Sequence, residues 1–431
     1  MTTHRPLRAV ERPISPAQAR LLRQLAFASG LVVERDGCAL AGIGEALTLS
    51  LPAGLGDPAG LDEATGRLRA VSAEPVGAGS PGAVAVGALA FLPGAPGYLT
   101  VPEVTVLATE PNDLGTHPPS AVVVAPEGAH DQVWEAMIAT ARREAGAASA
   151  SPPPDSFRLE SARSHADFLE RVAQAVGEVR SGRLDKVVLA REVVVEANRP
   201  LRQADLLERL RSLHPSCTTF AVDGFVGATP ELLVRRRGAV VESDPLAGTA
   251  ARSGDPEADR AAEAALFSSE KERAEHRTVV TAIGAALAPV VDELEVPTEP
   301  GILELRNVSH LHTKIRGRLR PLPARAELPS ALELAALVHP TPAVSGYPVD
   351  LALEYLAKAE DLDRGRYAGP VGFVRANGDG ELHLGIRSAF VDGTVARLLA
   401  GVGIVADSQP EAELRETQLK LQALLAAAVR P

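Results

Sequence analysis

Short apolar stretches with a period of two recur along the chain and limit its fold more than any other feature. Successive side chains of a strand face opposite sides of a sheet, so this period predicts strands. The segments that we interpret as strands are Ala83–Phe91, Ala121–Ala125, Asp185–Glu196, Phe225–Arg235, Gly369–Arg375, Leu382–Val391 and Val395–Val405. Segments with helical spacing are far fewer, whereas parallel strands each need a long crossover connection, usually a helix. The pattern therefore predicts an α+β fold with large, mainly antiparallel sheets rather than a doubly wound parallel sheet.

Four segments have the spacing that is typical of helices. They are Asp131–Glu144, Ser164–Gly182, Ser268–His276 and Pro410–Ala427. Between the first two lies Gly146–Pro154, a run of small residues and prolines that cannot continue a helix. We therefore expect a boundary there, with an N-terminal part of the fold at residues 1–150 and a second region at residues 155–431.

Composition and charge exclude several classes of protein. With 431 residues and 45% hydrophobic content, the chain is long enough for a large core and is not expected to be disordered. A formal charge of −11, with dispersed basic residues, argues against a broad nucleic-acid surface. Cys38 and Cys217 fit neither a disulfide framework nor a thiolate zinc site. No signal-peptide core or apolar run of roughly 18 residues is present, so we expect a soluble cytoplasmic protein with no nucleic-acid or membrane partner.

Two pairs of glutamates suggest a metal site. Glu272 with Glu275 and Glu413 with Glu416 are spaced i, i+3 in helical segments. Both carboxylates of a pair should then lie on one helix face, with Cβ atoms roughly 5–6 Å apart. If the fold brings the two helices together, the four carboxylates could bind one hard divalent cation such as Mg²⁺.

The same spacing also fits solvated helix faces. Glutamate is a good helix former, and Ser269 and Ser408 each precede a glutamate by three residues. That spacing is the pattern of a capping box at the start of a helix. The glutamate pairs alone leave both interpretations open.

Lys186 and Glu231 are candidates for acid–base chemistry. Alternation puts Lys186 on the strand face of Val188 and Ala190, where burial would favour the neutral amine that a general base needs. Glu231 follows Pro230 in an apolar run, so a kink or bulge should direct its carboxylate out of the ladder. Apolar surroundings raise the pKa of a carboxyl group and suit it to act as a general acid. Such a pair fits a reaction that adds water at one carbon and expels hydroxide from another. The alternative interpretations are that the Lys186 side chain extends to water and that Glu231 is a charge at the rim of a pocket.

Several residues could bind an anionic ligand. Gly248, Gly401 and Gly403 occur where backbone N–H groups could approach such a ligand, although glycines in strands also mark bulges. Arg387 could bind a carboxylate through two hydrogen bonds. Lys420, one turn after the second glutamate pair, fits either a ligand contact or a surface ion pair.

Two histidines are candidates for a substrate pocket. His339 begins HPTPAVSG, whose prolines exclude a helix, and His310 lies in NVSHL. Neither has the spacing of a zinc site, because the sequence contains no HExxH or CxxC motif. Each could line a pocket or have a purely structural role.

Ten motifs, in their order along the chain, resemble those of the chorismate-utilising enzymes. They are DKVVLAR, GATPELL, DPLAGTAAR, SSEKERAEH, NVSHL, HPTPAVSG, GRYAGPVGF, GIRSA, AGVGIVADS and ELRETQLK. This family includes isochorismate, salicylate, anthranilate and aminodeoxychorismate synthases. The resemblance covers residues 160–430, whereas the first 150 residues match only loosely, chiefly around VGALAF.

The resemblance implies two large, mainly antiparallel sheets that pack together and are flanked by helices, with chorismate and Mg²⁺ bound in a deep cleft. Glu275 and Glu416 match the direct magnesium ligands, while Glu272 and Glu413 match ligands that act through water or complete the shell. The motif residues that match substrate contacts are Gly248, Arg387, Gly401, Gly403 and Lys420 for the carboxylates and His310 and Tyr367 for the pocket walls.

The motifs also favour one subfamily. Lys186 resembles the lysine of members that use water as the nucleophile at C2 of chorismate, and Glu231 resembles the acid that protonates the departing C4 hydroxyl. HPTPAVSG is similar to the corresponding segment of isochorismate synthases. Isochorismate synthase is therefore the favoured function. Salicylate synthases share the lysine and go on to eliminate pyruvate, so they are the alternative.

Two other classes remain as lesser alternatives: an ammonia-using synthase component and a non-catalytic anion-binding protein. The sequence has no glutaminase module with a nucleophilic cysteine and partner histidine, and Lys186 argues against an amine route. We therefore expect chorismate as the small-molecule partner and no glutaminase subunit. The resemblance also implies a monomer, because members of this family are often monomeric. The motifs do not distinguish menaquinone, siderophore and other pathways.

Overall fold

The computed structural model describes residues 6–35, 38–73, 82–109, 119–147, 152–321 and 327–429. The helices within these residues are α1 Pro16–Ser29, α2 Pro58–Ala70, α3 His130–Ala147, α4 His165–Arg180, α5 Gln203–Leu213, α6 Pro256–Ser268, α7 Glu270–Leu287, α8 Ala331–Val338, α9 Val349–Ala359 and α10 Pro410–Ala428. The four predicted helices correspond to α3, α4, α7 and α10. Part of the predicted linker, residues 148–151, lies outside the described residues.

Strands account for most of the remaining regular structure. They are β1 Leu7–Pro13, β2 Leu31–Arg35, β3 Cys38–Ile43, β4 Leu47–Leu51, β5 Ser72–Ala73, β6 Val84–Ala88, β7 Gly97–Val101, β8 Val104–Thr109, β9 Ser120–Pro126, β10 Phe157–Ser161, β11 Lys186–Ala197, β12 Thr218–Val222, β13 Phe225–Thr229, β14 Leu232–Arg237, β15 Val240–Asp244, β16 Leu246–Ala251, β17 Val291–Glu295, β18 Gly301–Glu304, β19 Val308–His312, β20 Ile315–Leu319, β21 Gly346–Tyr347, β22 Pro370–Arg375, β23 Gly380–Leu384, β24 Ser388–Asp392 and β25 Val395–Ile404.

Two large sheets dominate the described residues. The 13-stranded sheet has the order β10-β11-β25-β24-β13-β12-β2-β3-β8-β9-β1-β5, with β21 beside β11. The nine-stranded sheet has the order β17-β20-β15-β14-β23-β22-β6-β7-β4, and a three-stranded sheet has the order β16-β19-β18. Neighbouring strands run antiparallel, apart from β1 with β5. The predicted α+β fold with large, mainly antiparallel sheets is confirmed.

The main hydrophobic core joins the two large sheets. It contains Leu189 and Leu399 from the 13-stranded sheet together with Leu233 and Leu384 from the nine-stranded sheet. Both sheets also combine strands from either side of the predicted boundary, because β12 pairs with β2 and β22 pairs with β6. The linker therefore does not separate one sheet from another.

Two segments that we predicted as single strands each change sheet partway. The predicted strand Phe225–Arg235 is β13 in the larger sheet and β14 in the nine-stranded sheet, with Pro230 and Glu231 between them. Proline lacks the N–H that would continue the ladder. The predicted strand Leu382–Val391 is likewise β23 and β24, with residues 385–387 between them, and Arg387 there has a left-handed φ of 49°. The two crossings direct Glu231 and Arg387 out of their ladders.

The helices that carry the glutamate pairs begin differently. In α7 the Ser269 hydroxyl accepts a hydrogen bond from the Glu272 N–H at 3.3 Å, as expected of a cap. Ser408, the other capping candidate, does not cap α10, because α10 begins after Gln409 and the Ser408 hydroxyl instead accepts from the Val405 N–H. α7 packs on β16 and α10 packs on β25, which sets both helices beside the sheet crossings.

None of the described helices is both long enough and apolar enough to cross a membrane.

Candidate active site

A cavity of about 120 Å³ lies where β11, β16, β25, α7 and α10 meet the two sheet crossings. It brings together every predicted site residue except His339. The predicted residues that line it are Lys186, Glu231, Gly248, Glu272, Glu275, His310, Tyr367, Arg387, Gly401, Gly403, Glu413, Glu416 and Lys420.

Lys186 is the first residue of β11 and is almost completely buried, with 3% of its surface exposed. Its Nζ lies 2.7 Å from Glu275 Oε1. Val188, two residues further along the strand, lines the same cavity, as the alternation predicted. The side chain therefore does not extend to water but points into the cavity.

Glu231 lies at the crossing between β13 and β14 and is 4% exposed. Burial raises its pKa to about 8, although the Leu246 N–H and the charge of Lys186 oppose this shift. The Leu246 N–H donates to Oε1 at 3.4 Å. At neutral pH the carboxyl group is therefore mostly protonated and can donate a proton.

Arg387 and His310 form a buried pair. Arg387 Nη2 donates to His310 Nε2 at 2.8 Å, so the ring proton is on Nδ1, which lies 3.2 Å from the Gly248 carbonyl. Burial and the adjacent guanidinium hold the pKa of His310 well below its usual range, and the ring is neutral. No carboxylate in the described residues forms an ion pair with Arg387, which is 9% exposed. A buried cation without an acidic partner suits an anionic ligand.

Lys420 and the glycines of β25 line the cavity together with Arg387 and His310. Lys420 Nζ donates to the Gly401 carbonyl at 2.9 Å and lies 2.8 Å from Glu416 Oε1, so the ion pair that we considered as an alternative does exist. A Cβ on Gly401 would lie 3.2 Å from the Tyr367 hydroxyl. A Cβ on Gly403 would lie 2.8 Å from Glu275 Oε1. Close side chains are therefore one reason why these positions are glycine.

The four glutamates repel one another within the cavity. Burial and then the charge of Glu275 raise the pKa of Glu272. Burial, together with Glu416, raises the pKa of Glu413 to about 7, although Ser408 donates a hydrogen bond to it. Burial would raise the pKa of Glu275 too, but Lys186 lowers it overall. A divalent cation would relieve this repulsion, and carboxylate oxygens are the ligands that Mg²⁺ prefers.

The carboxylates of the four glutamates are not arranged around a single point that a cation could occupy. Among the described residues no group of three or more His, Cys, Asp or Glu side chains is in a metal-holding arrangement. Glu275 and Glu416 are instead bonded to Lys186 and Lys420. The residues thus fit Mg²⁺ in chemistry, and binding would require these two carboxylates to exchange a lysine partner for the cation.

His339 lies outside the cavity lining, so the expectation that it is a pocket residue is not met. Its Nε2 lies 2.9 Å from the Phe91 carbonyl, and the residue is 6% exposed. Two other residues of the same motif, Ala343 and Val344, do line the cavity. The motif was therefore informative although its histidine was not.

Arg364 lines the cavity and was missed by the sequence analysis. It is 4% exposed and forms an ion pair with Glu360. Its only sequence signal was its position just before the GRYAGPVGF motif. Thr249, Lys271 and Ile386 also line the cavity without having been predicted.

Comparison with known proteins gives a consistent result. The sequence profile of the family described as chorismate binding enzyme matches residues 65–429. The chain is 42% identical over 271 residues to the salicylate biosynthesis isochorismate synthase of Pseudomonas aeruginosa, covering 61% of this chain and 55% of that relative. It is 40% identical over 272 residues to the isochorismate synthase DhbC of Bacillus subtilis, covering 61% of this chain and 67% of that relative. Among solved structures it resembles MenF, the menaquinone-specific isochorismate synthase from Escherichia coli, with a TM-score of 0.78 and 25% identity over 100% of this chain and 97% of that one.

Proposed function

The chain belongs to the family of chorismate-binding enzymes, and from this premise we propose that it is an isochorismate synthase, a Mg²⁺-dependent isomerase that converts chorismate to isochorismate. Relatives that are 40–42% identical to it carry that name. The observation that carries the proposal is that Lys186 and Glu231, whose pKa burial raises to about 8, line one cavity beside Arg387, a buried cation with no carboxylate ion-pair partner among the described residues. A base, an acid and an anion site are what this reaction requires.

The proposed chemistry balances without a redox partner. Lys186, as the free amine, accepts a proton from a water molecule whose oxygen bonds to C2 of chorismate. The two ring double bonds each shift by one position, and the C4–oxygen bond breaks. Glu231 donates its proton to the departing oxygen, which leaves as water. One water is consumed and one is released, so a proton must pass from Lys186 back to Glu231 before the next turnover.

The same cavity would hold the dicarboxylate substrate. Arg387 and Lys420, together with backbone N–H groups near Gly401 and Gly403, would bind its carboxylates. The glutamates Glu275 and Glu416 would bind Mg²⁺ directly, with Glu272 and Glu413 acting through water or completing the shell. Bound Mg²⁺ would supply positive charge that neutralises one substrate carboxylate and fixes the ring.

Product analysis tests this function. Purified protein is incubated with chorismate and Mg²⁺ without ammonia, and Lys186→Ala is the matched control. Isochorismate alone supports the proposal, whereas salicylate with pyruvate would indicate a salicylate synthase. No conversion by the parent protein would contradict both. The cytoplasmic location, the monomeric state and the absence of a glutaminase subunit stay predictions.

A further inference from the structure

One edge of β11, the strand that carries Lys186, has a gap in its strand neighbours. On one side β11 pairs with β25 from Val187 to Glu196. On the other side β21 pairs with Lys186 and Val187, and β10 pairs from Val193 onward. Residues 188–192 therefore have no paired strand on that side within the described chain, although the Val188 N–H donates to the Ser345 carbonyl and the Ala162 N–H donates to the Glu192 carbonyl.

Glu360 and Arg364 bind the backbone inside this gap. The Ala190 N–H donates to Glu360 Oε1 at 2.7 Å, and Arg364 Nη2 donates to the Val188 carbonyl at 2.6 Å. The two side chains also bind each other through two hydrogen bonds of 2.6 Å, from Arg364 Nε and Nη2 to the two carboxylate oxygens. Because both side chains are buried, the pair supplies the donor and the acceptor that a neighbouring strand would otherwise supply.

Arg364 also contacts the segment of the chain around Val344, which lines the cavity. Its Nη1 donates to the Val344 carbonyl at 2.8 Å, and its guanidinium lies 4.3 Å from the centre of the Phe91 ring. Four of the five N–H donors of the guanidinium are then used by the protein. Arg364 therefore has little capacity left to bind a substrate carboxylate, although it lines the cavity beside Val188 and Val344.

We propose that Glu360 and Arg364 are positioning residues that hold Lys186 at its place in the cavity by fixing the adjoining segment of β11. Lys186 lies two residues before Val188, on the same strand face, so a shift of the Val188 carbonyl moves the amine as well. This inference rests on the proposed role of Lys186 as the base.

Conservative substitutions test the role kinetically. Glu360→Gln and Arg364→Lys should each lower kcat by about 10- to 100-fold, because a base displaced by a fraction of an ångström no longer meets its water. The KM for chorismate should change less than about threefold, since Arg387 and Lys420 remain in place. The matched control is Arg235→Lys, because Arg235 also forms an ion pair with a sheet glutamate, Glu381, but does not line the cavity. Its kcat should stay within about twofold of the parent.

A double-mutant cycle distinguishes positioning from a general loss of structure. In the Lys186→Ala background, Glu360→Gln should lower the residual kcat by less than about twofold, because the group that it positions is gone. An equal loss with and without Lys186 would overturn the inference.

A second readout needs no turnover. The sequence has five lysines, at positions 186, 271, 314, 358 and 420, so ¹³C-lysine labelling gives a sparse NMR spectrum that Lys186→Ala assigns. Glu360→Gln should move the Lys186 Cε resonance in the full-length protein, whereas Arg235→Lys should not. An unmoved resonance would overturn the positioning role. Failure of the parent to convert chorismate would count against the proposed function. The Lys186 Cε resonance would still report whether Glu360 positions the Lys186 side chain.

Discussion

Lys186 Nζ lies 2.7 Å from Glu275 Oε1, so the proposed base and a proposed magnesium ligand form one ion pair inside the cavity. Lys420 and Glu416 are related in the same way, at 2.8 Å. Each carboxylate that we assign as a direct ligand of the cation thus already has a positively charged partner. A cation that binds Glu275 would weaken its attraction for the Lys186 ammonium, so metal binding would act directly on the side chain of the proposed base.

Replacing Glu275 with glutamine should raise the Mg²⁺ concentration for half-maximal activity by about tenfold or more. Glutamine keeps the size of the side chain but not its charge. Added Mg²⁺ should also raise the Tm of the parent and not that of the variant, which reports binding without turnover. Glu270→Gln, exposed in the first turn of the same helix, is the control and should match the parent. An unchanged Mg²⁺ requirement in Glu275→Gln would contradict the assignment.

Lys186→Ala and Glu231→Gln should each lower kcat by about 10²- to 10⁴-fold, which is the usual contribution of a positioned base or acid. The first variant removes the proton acceptor, and the second keeps the shape of the side chain but has no acidic proton. Circular dichroism should show an intact fold in both proteins. If either variant is nearly as active as the parent, the corresponding role is wrong.

The pKa of Glu231, which burial raises to about 8, sets the expected pH dependence. A general acid must carry its proton, so kcat/KM for chorismate should fall as the pH rises through about 8. Glu231→Gln has no proton to lose there, so its residual activity should lack this alkaline limb. Rates measured between about pH 6 and about pH 9.5 test this, and an identical limb in the variant would assign the titration to another group.

The same burial should make the protein less stable as the pH rises. An unfolded glutamate ionises near 4.5, whereas folded Glu231 keeps its proton to about 8. Between these values the folded state binds more protons than the unfolded state, so the free energy of unfolding falls with rising pH. Glu231→Gln should therefore be more stable than the parent at neutral pH, by roughly 1–3 kcal/mol, and show no such gain below about pH 4. Denaturant unfolding at both pH values measures the difference, which would be absent if Glu231 were ionised in the folded protein.

The sequence predicted which residues meet in the cavity better than it predicted how the chain reaches it. The apolar pattern that predicts a strand continues across Phe225–Arg235 because each half of the segment is buried in its own sheet. This pattern carries no information about which strand lies beside each half. Pro230 indicated a break at this point. The change from one sheet to the other depends on pairing with β23 and β24, more than 140 residues away in the chain.

The two histidines show a different limit of sequence reasoning. His310 and His339 were equal candidates, but His310 binds Arg387 inside the cavity while His339 binds the Phe91 carbonyl behind it. Phe91 is 248 residues from His339, so no local pattern could distinguish the two rings. Arg364 was missed for the same reason, because its partners on β11 are distant in sequence.

Gly403→Ala should impair the site while leaving the fold intact. Its Cβ would lie 2.7 Å from Lys186 Cε and 2.8 Å from Glu275 Oε1, so both side chains must move. Because both are flexible ends rather than backbone, Tm should change little, whereas kcat should fall by about tenfold or more. Gly177→Ala is the matched control, since nothing lies within 4 Å of its Cβ in α4. That variant should keep full activity and gain about 0.5–1 kcal/mol of helix stability. Equal kcat values for the two variants would mean that the contact of Lys186 and Glu275 with β25 is not needed for turnover.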